Sequence, residues 1–122
     1  MVDRPDDDGS NGWGGVPPYE SRGWTLLTNH AHVLLCIRND PTIRVRDIAY
    51  LVGITERAAH KIVGDLGEAG FVTRVKVGRR NQYTVHPEAP MRHPLERHQV
   101  VGELLAALAD RRTQTTTMAA QN

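Results

Sequence analysis

Residues 45–86 read VRDIAYLVGITERAAHKIVGDLGEAGFVTRVKVGRRNQYTVH, and this segment carries the clearest structural pattern in the chain. Over 45–52 the apolar residues recur at the three- and four-residue spacing of an amphipathic helix. Gly53 ends that run, because glycine readily adopts the left-handed conformation of a sharp turn. Thr55 predicts the start of a second helix, over 56–69, because its side-chain oxygen can accept a hydrogen bond from a free backbone N–H. The pattern therefore predicts two helices joined by a tight turn.

The second of these helices has a predicted buried stripe and a predicted accessible face. Ala58, Ile62 and Leu66 recur every four residues and form the stripe. Gly64 and Gly67 each cost about 1 kcal/mol relative to alanine inside a helix, so either close packing or a close approach to DNA is expected there. The residues that fall outside the stripe are Arg57, His60, Lys61 and Gly64.

A hairpin follows the second helix. Residues 71–77 alternate between apolar and polar side chains, residues 78–81 predict a turn, and residues 82–86 predict the returning strand. Arg79 and Arg80 fall at the tip, away from any core. The order helix, turn, helix, hairpin predicts a winged helix-turn-helix, mainly α with a small β wing. The alternation places Val75 and Val77 on one face of the first strand and Arg74 and Lys76 on the other. On the returning strand, Tyr83 and Val85 are expected on the apolar face, the side of the two valines.

Further elements are predicted on both sides of this segment. A first helix is expected over about 29–38, with Thr28 as its N-cap and Pro41 beyond its end. Residues 43–44 suggest a short strand, and a last helix is expected from near Pro94 to about residue 112. The predicted organisation is a disordered, acidic and Gly/Pro-rich head (1–23), a DNA-binding domain (24–88), a C-terminal helix for dimerisation (89–112) and a disordered tail (113–122).

Positive charge is concentrated in one part of the chain, although the net charge is only +1. Residues 1–22 carry five acidic and two basic side chains, whereas residues 23–91 carry nine basic and six acidic ones. Residues 57–80 alone hold six of those cations. A local excess of this kind is the electrostatic footprint expected of a protein that binds a polyanion.

The second predicted helix suits the major groove of duplex DNA, which admits one helix and presents distinguishable base edges. Arg57 and His60 are expected to meet bases, and Lys61 is expected to meet phosphate. The arginine-tipped wing is expected on the backbone or in the minor groove. The candidate DNA-binding residues are Thr55, Glu56, Arg57, His60, Lys61, Arg74, Lys76, Arg79, Arg80 and Asn81.

Short motifs along the chain are WTLLTNH at 24–30, RDIA at 46–49, VGITERA at 52–58, DL at 65–66, EAGF at 68–71, VGRRNQY at 77–83 and RHPLE at 92–96. Together they resemble small actinobacterial-type winged helix-turn-helix regulators, which in turn are similar to the MarR and ArsR superfamily of transcription factors. The resemblance covers about residues 24–109. It implies three helices with a two-stranded wing, a dimer and a role in transcriptional control.

The last predicted helix carries an apolar stripe that is wide for a helix capping a small domain. We expect the stripe to be buried partly against a second copy, with packing inside the chain as the alternative. A two-fold dimer would present two recognition helices, so an inverted repeat is the expected DNA target. The candidate dimerisation residues are Leu95, Val101, Leu104, Leu105 and Leu108.

Other kinds of site have weaker support. The pairs His30/His32 and His93/His98 do not have the spacing of a tight metal-ligand pair, and Cys36 is the only cysteine, so no metal or other cofactor is predicted. Cys36 is expected to be a small buried residue, with a redox sensor as the alternative. No catalytic constellation is visible, so an enzyme is not expected. Without a signal peptide or membrane span, the protein is expected in the cytoplasm, associated with the nucleoid.

One rival function remains open at this stage. A winged helix can serve as a protein-binding adaptor, in which the wing or the helix predicted over 56–69 meets an acidic partner instead of DNA. The modest net charge of the chain is compatible with that alternative.

Overall fold

Four helices and one two-stranded hairpin make up residues 23–109, the part of the chain that this computed structural model describes. The predicted tail, and the predicted head apart from Gly23, lie outside the described residues. No helix within 23–109 has the length and apolar character needed to cross a membrane. The elements are α1 (Asn29–Asn39), α2 (Val45–Val52), α3 (Glu56–Glu68), β1 (Val72–Val77), β2 (Arg80–Val85) and α4 (Val101–Ala107).

The core forms where α1, α2 and α3 pack against one another. Val33 and Ile37 of α1 and Ile48 of α2 are fully buried at its centre. Aliphatic side chains supply most of this core because the chain has few aromatic residues. Burial of apolar surface of this kind is the main force that holds a small domain together.

The turn between α2 and α3 has the predicted structure. Gly53 has a φ of 87°, in the left-handed region that glycine tolerates, and its N–H donates to the Ala49 carbonyl at 2.8 Å. The Thr55 hydroxyl accepts a hydrogen bond from the Ala58 N–H at 3.0 Å, so Thr55 is confirmed as the N-cap of α3. Thr28 occupies the corresponding position before α1, but its side chain makes no capping hydrogen bond.

The buried stripe of α3 differs from the predicted one. Ala59, not Ala58, is fully buried, while Ala58 is only half-buried. Because a helix turns 100° per residue, positions that recur only every four residues drift by about 40° at each step. The stripe therefore uses both three- and four-residue spacings, and its members are Ala59, Ile62, Val63 and Leu66.

The hairpin closes through a two-residue turn, with Val77 opposite Arg80 and Gly78 at a φ of 63°. Arg80 and Asn81 therefore belong to β2 and not to the turn. This register places Arg74 opposite Tyr83, and directly opposed residues of an antiparallel pair share a face.

The prediction that Val75 and Val77 lie on the same face as Tyr83 is wrong, because the register of the hairpin separates them. Tyr83 is buried and shares its face with Arg74, whereas Val75 and Val77 lie on the opposite face and are each 54% exposed. A two-residue turn pairs odd-numbered residues of β1 with even-numbered residues of β2, so Tyr83 and the two valines cannot lie on the same side.

The predicted short strand at 43–44 is absent. The Asp40 carboxylate accepts a hydrogen bond from the Thr42 N–H, and the Asp40 carbonyl accepts one from the Ile43 N–H. These bonds form a turn in place of a strand ladder. The Pro41 carbonyl still accepts a hydrogen bond from the Tyr83 N–H at 2.9 Å, which fastens β2 to this loop.

The last helix begins at Val101 and not near Pro94. Residues 92–99 form turns, in which the His93 ring nitrogen Nδ1 accepts a hydrogen bond from the Leu95 N–H at 3.0 Å. The N–H groups of Val101 and Gly102 donate to carbonyls of the preceding loop at 2.7 and 2.9 Å. The helix starts where its first N–H groups find acceptors. Those acceptors belong to another segment of the fold, so the residues around Pro94 do not predict the start.

Candidate nucleic-acid interface

The accessible face of α3 carries the predicted DNA-binding side chains. Arg57, His60 and Lys61 are all exposed, as predicted, because the opposite face of the helix is occupied by the core. Residues spaced by three and four positions lie on the same side of a helix, so these three side chains form one surface. Glu56, Asp65 and Glu68 add three carboxylates to the same helix, so α3 as a whole carries no excess of positive charge.

Asp65 links this face to α1 by side-chain hydrogen bonds. Asp65 Oδ1 lies 3.2 Å from Lys61 Nζ on the same helix, and Asp65 Oδ2 lies 2.9 Å from His30 Nε2 on α1. The hydrogen bond from His30, followed by the one from Lys61, lowers the pKa of Asp65 below its ordinary value. The Lys61–Asp65 spacing of four can be read from the sequence, whereas the approach of His30 carries no sequence signal and was missed.

The wing presents a second group of cations. Arg74 and Lys76 lie on the face of the hairpin that also carries Tyr83. Half-buried Asn81 lies directly opposite Lys76 on that face. Arg79 lies in the turn and Arg80 on the other face. All four cations are exposed, and within residues 23–109 no carboxylate forms an ion pair with any of them. Their charge is therefore available to a polyanion.

Gly64 and Gly67 lie on the exposed side of α3. A Cβ atom added at either position would meet no heavy atom within 4 Å. Close packing within residues 23–109 is therefore excluded as the reason for these two glycines. The alternative, a close approach to DNA, stays a prediction.

Cys36 is half-buried on α1. Burial raises the pKa of its thiol to about 11, so the thiol is protonated at neutral pH. Because the thiolate is the reactive form, this environment agrees with a packing role and disfavours a redox sensor.

Two of the histidines whose spacing argued against a metal site lie against other side chains. His30 lies against Asp65, and His32 Nδ1 lies 3.3 Å from the side-chain oxygen of Asn29. Over the described part of the chain, no three residues of metal-binding type come together in a cluster that could hold an ion.

The apolar residues predicted for dimerisation divide into two groups. Val101 and Leu105 are buried in the chain's own core and are unavailable to a second copy, which corrects the prediction for these two. Their stripe is covered by packing within the chain. Leu95 is 80% exposed and Leu108 is 41% exposed, while Leu104 is half-buried.

Comparison with known proteins gives structural likenesses only. No protein-family model matches the chain, and no curated protein matches it. A MarR family transcriptional regulator from Silicibacter pomeroyi DSS-3 is similar in structure, with 23% identity over 75% of this chain and 60% of that one, at a TM-score of 0.48. RV1404 from Mycobacterium tuberculosis is 18% identical over 80% of this chain and 61% of that one, at a TM-score of 0.47.

A third likeness is to a mutant of ZitR from Lactococcus lactis. It is 14% identical over 94% of this chain and 72% of that one, at a TM-score of 0.49. The chain spans about three fifths of the length of the Silicibacter pomeroyi and Mycobacterium tuberculosis structures.

Proposed function

We propose that this protein is a sequence-specific regulator of transcription that binds double-stranded DNA. The observation that carries the proposal is the group of four exposed wing cations that have no carboxylate partner within residues 23–109, beside a helix-turn-helix whose α3 exposes Arg57, His60 and Lys61. A helix-turn-helix that exposes arginine, histidine and lysine on its second helix, beside a basic hairpin, has the shape and charge to follow a duplex.

In the proposed complex α3 enters the major groove. An α-helix with its side chains is about 10–12 Å across, which matches the groove width of about 12 Å. Arg57 and His60, near the amino end of α3, contact base edges, and Lys61 contacts a phosphate. Arginine suits guanine because its planar fork can bond two acceptors at once.

The wing contacts the DNA beside the helix. Arg74 and Lys76 lie on one face of the hairpin and Arg80 on the other, with Arg79 in the turn between the strands. The wing therefore carries positive charge on both faces and at its tip. It follows the phosphate backbone or inserts an arginine into a narrow minor groove.

The regulator acts as a homodimer on an inverted repeat. Leu95, Leu104 and Leu108 supply the apolar surface left over at the C-terminal end of the described chain, since Val101 and Leu105 are already buried. Two-fold symmetry of the dimer requires two half-sites of opposite orientation. The proposed setting is the cytoplasm, in association with the nucleoid.

A protein-binding adaptor is the second candidate function. The observation that favours it is the pair Val75 and Val77, each 54% exposed on a wing face that lacks any other cover among the described residues. An exposed apolar pair suits a protein partner better than a phosphate backbone.

A salt titration of duplex binding separates the two functions. The purified 122-residue chain is titrated with fluorescent duplexes at salt concentrations between about 50 and about 300 mM. The slope of log affinity against log salt reports the number of phosphates contacted, because each neutralised phosphate contributes about 0.9 to it. A DNA-binding protein gives high affinity at low salt and a steep slope. Absence of duplex affinity at the lowest salt would overturn the proposal and leave the adaptor.

A further inference from the structure

The contact between His30 and Asp65 joins two helices across 35 positions of sequence. His30 lies in the first turn of α1, and Asp65 lies on α3, one turn after Lys61. Asp65 therefore has two cationic or potentially cationic partners, at 2.9 Å to His30 and 3.2 Å to Lys61. Lys61 is the side chain that the proposed function assigns to a phosphate.

We infer that Asp65 is a positioning residue shared by Lys61 and His30, and that protonation of His30 frees Lys61 for a DNA phosphate, so that affinity for duplex DNA rises as pH falls. This inference rests on the proposed function. It adds to that function a regulation by pH and a residue, His30, that lies outside the helix-turn-helix and the wing.

The physical reason is the fate of the Asp65 carboxylate when DNA binds. A phosphate that recruits Lys61 removes one partner from Asp65 and places a second anion near it, which disfavours binding. When His30 is neutral, the three groups have no net charge, and Asp65 is left facing the phosphate. When His30 is protonated, it remains paired with Asp65 after Lys61 leaves, and the cluster carries one positive charge. Histidine is the side chain that changes charge near neutral pH.

Within residues 23–109, His30 forms no ion pair other than the one with Asp65. On α3 the charged groups facing it are Asp65 and, through Asp65, Lys61. The charged residues of α2, Arg46 and Asp47, form no ion pair with His30, and within the described chain the same holds for those of β2. His32, two residues along α1, lies against Asn29 and so provides a matched control.

The size of the effect is set by solvent exposure. The side chains of His30 and Lys61 are 48% and 76% exposed, so their interactions are screened. A change of about two- to fivefold in affinity at low salt is the expected scale for one exposed charge pair. The effect shrinks as salt increases.

The test compares the affinity of the full chain for a random-sequence duplex at about pH 6 and about pH 8, on either side of the ordinary histidine titration. The ratio of the two affinities is measured for the wild type, His30→Gln, Asp65→Asn, the double variant, and the controls His32→Gln and His60→Gln. His60 lies on the proposed DNA-binding face, so its variant measures how much of the ratio comes from His60 and not from His30.

The expected result is a ratio about two- to fivefold smaller for His30→Gln than for the wild type, with equal affinities at the higher pH. His32→Gln keeps the wild-type ratio. Asp65→Asn binds DNA more tightly than the wild type at the higher pH, because Lys61 has lost its carboxylate partner. In that background His30→Gln changes the ratio little, since His30 acts through the same carboxylate. A wild-type ratio for His30→Gln, or equal losses for His30→Gln and His32→Gln, would overturn the inference alone. Absence of duplex binding by the wild type at both pH values would overturn the proposed function as well.

Discussion

Gly102 lies so close to Pro87 that a Cβ atom on Gly102 would be 2.7 Å from the Pro87 Cβ and 2.9 Å from the Pro87 carbonyl oxygen. The Gly102 N–H donates to that same oxygen at 2.9 Å. The first turn of α4 is thus fastened against the loop that follows the wing, with Val101 buried beside it. Only a glycine fits this approach without movement of the backbone.

Gly102→Ala is expected to lower the free energy of unfolding by about 1–3 kcal/mol, the usual effect of forcing an atom into a filled site. The measurement is the midpoint of urea unfolding. Gly64→Ala is the matched control, because a Cβ there meets nothing within 4 Å. Alanine at that position should raise the free energy of unfolding by about 1 kcal/mol. Equal midpoints for Gly102→Ala and the wild type would show that the loop yields.

Thr55→Ala is expected to lower the free energy of unfolding by about 1 kcal/mol, because the hydroxyl that accepts from the Ala58 N–H is lost. Chemical denaturation followed by circular dichroism measures the change. Thr55→Ser keeps the hydroxyl and should restore most of it. Thr28→Ala should have a smaller effect, since Thr28 makes no capping bond. A larger loss for Thr28→Ala than for Thr55→Ala would contradict this account.

Arg57→Ala is expected to relax the sequence preference more than it lowers affinity for random DNA, because Arg57 is assigned to base edges. Each bidentate arginine–guanine contact discriminates by about 1–3 kcal/mol. Sequencing of the fragments retained by each variant measures the preference. Lys61→Ala, assigned to phosphate, should weaken binding to all fragments alike. A uniform loss for Arg57→Ala would count against base reading by this residue.

The double change Arg79→Ala and Arg80→Ala is expected to weaken binding to all duplexes and to reduce the salt slope by up to about two, since each phosphate contributes about 0.9. Anisotropy titrations at several salt concentrations measure both effects. The control replaces Arg92 and Arg97, which are exposed on the turns before α4 and are not assigned to DNA. The same slope for the wing variant and the wild type would remove the wing from the interface.

Leu105→Lys and Leu108→Lys are expected to fail in different ways. Leu105 is buried in the chain's own core, so a charge there should unfold the domain. Leu108 is 41% exposed, so its variant should stay folded and become monomeric if it lies in the proposed dimer interface. Circular dichroism reports the fold, and light scattering reports the mass. A Leu108→Lys protein of dimer mass would exclude Leu108 from that interface.

Local signals predicted the first three helices and the turn between α2 and α3. The cap at Thr55 and the left-handed Gly53 act on backbone groups within a few residues, so their structural effect can be read from neighbouring residue types. The exposure of Arg57 and Lys61 on α3 followed from the same helical period.

Contacts between distant segments set the features that the sequence did not predict. The turn register moved Val75 and Val77 to the face opposite Tyr83, and carbonyls of the loop after the wing set the start of α4. The meeting of His30 and Asp65 depends on the packing of α1 against α3. Periodicity and capping describe one segment at a time, whereas each of these features arises from the position of one segment relative to another.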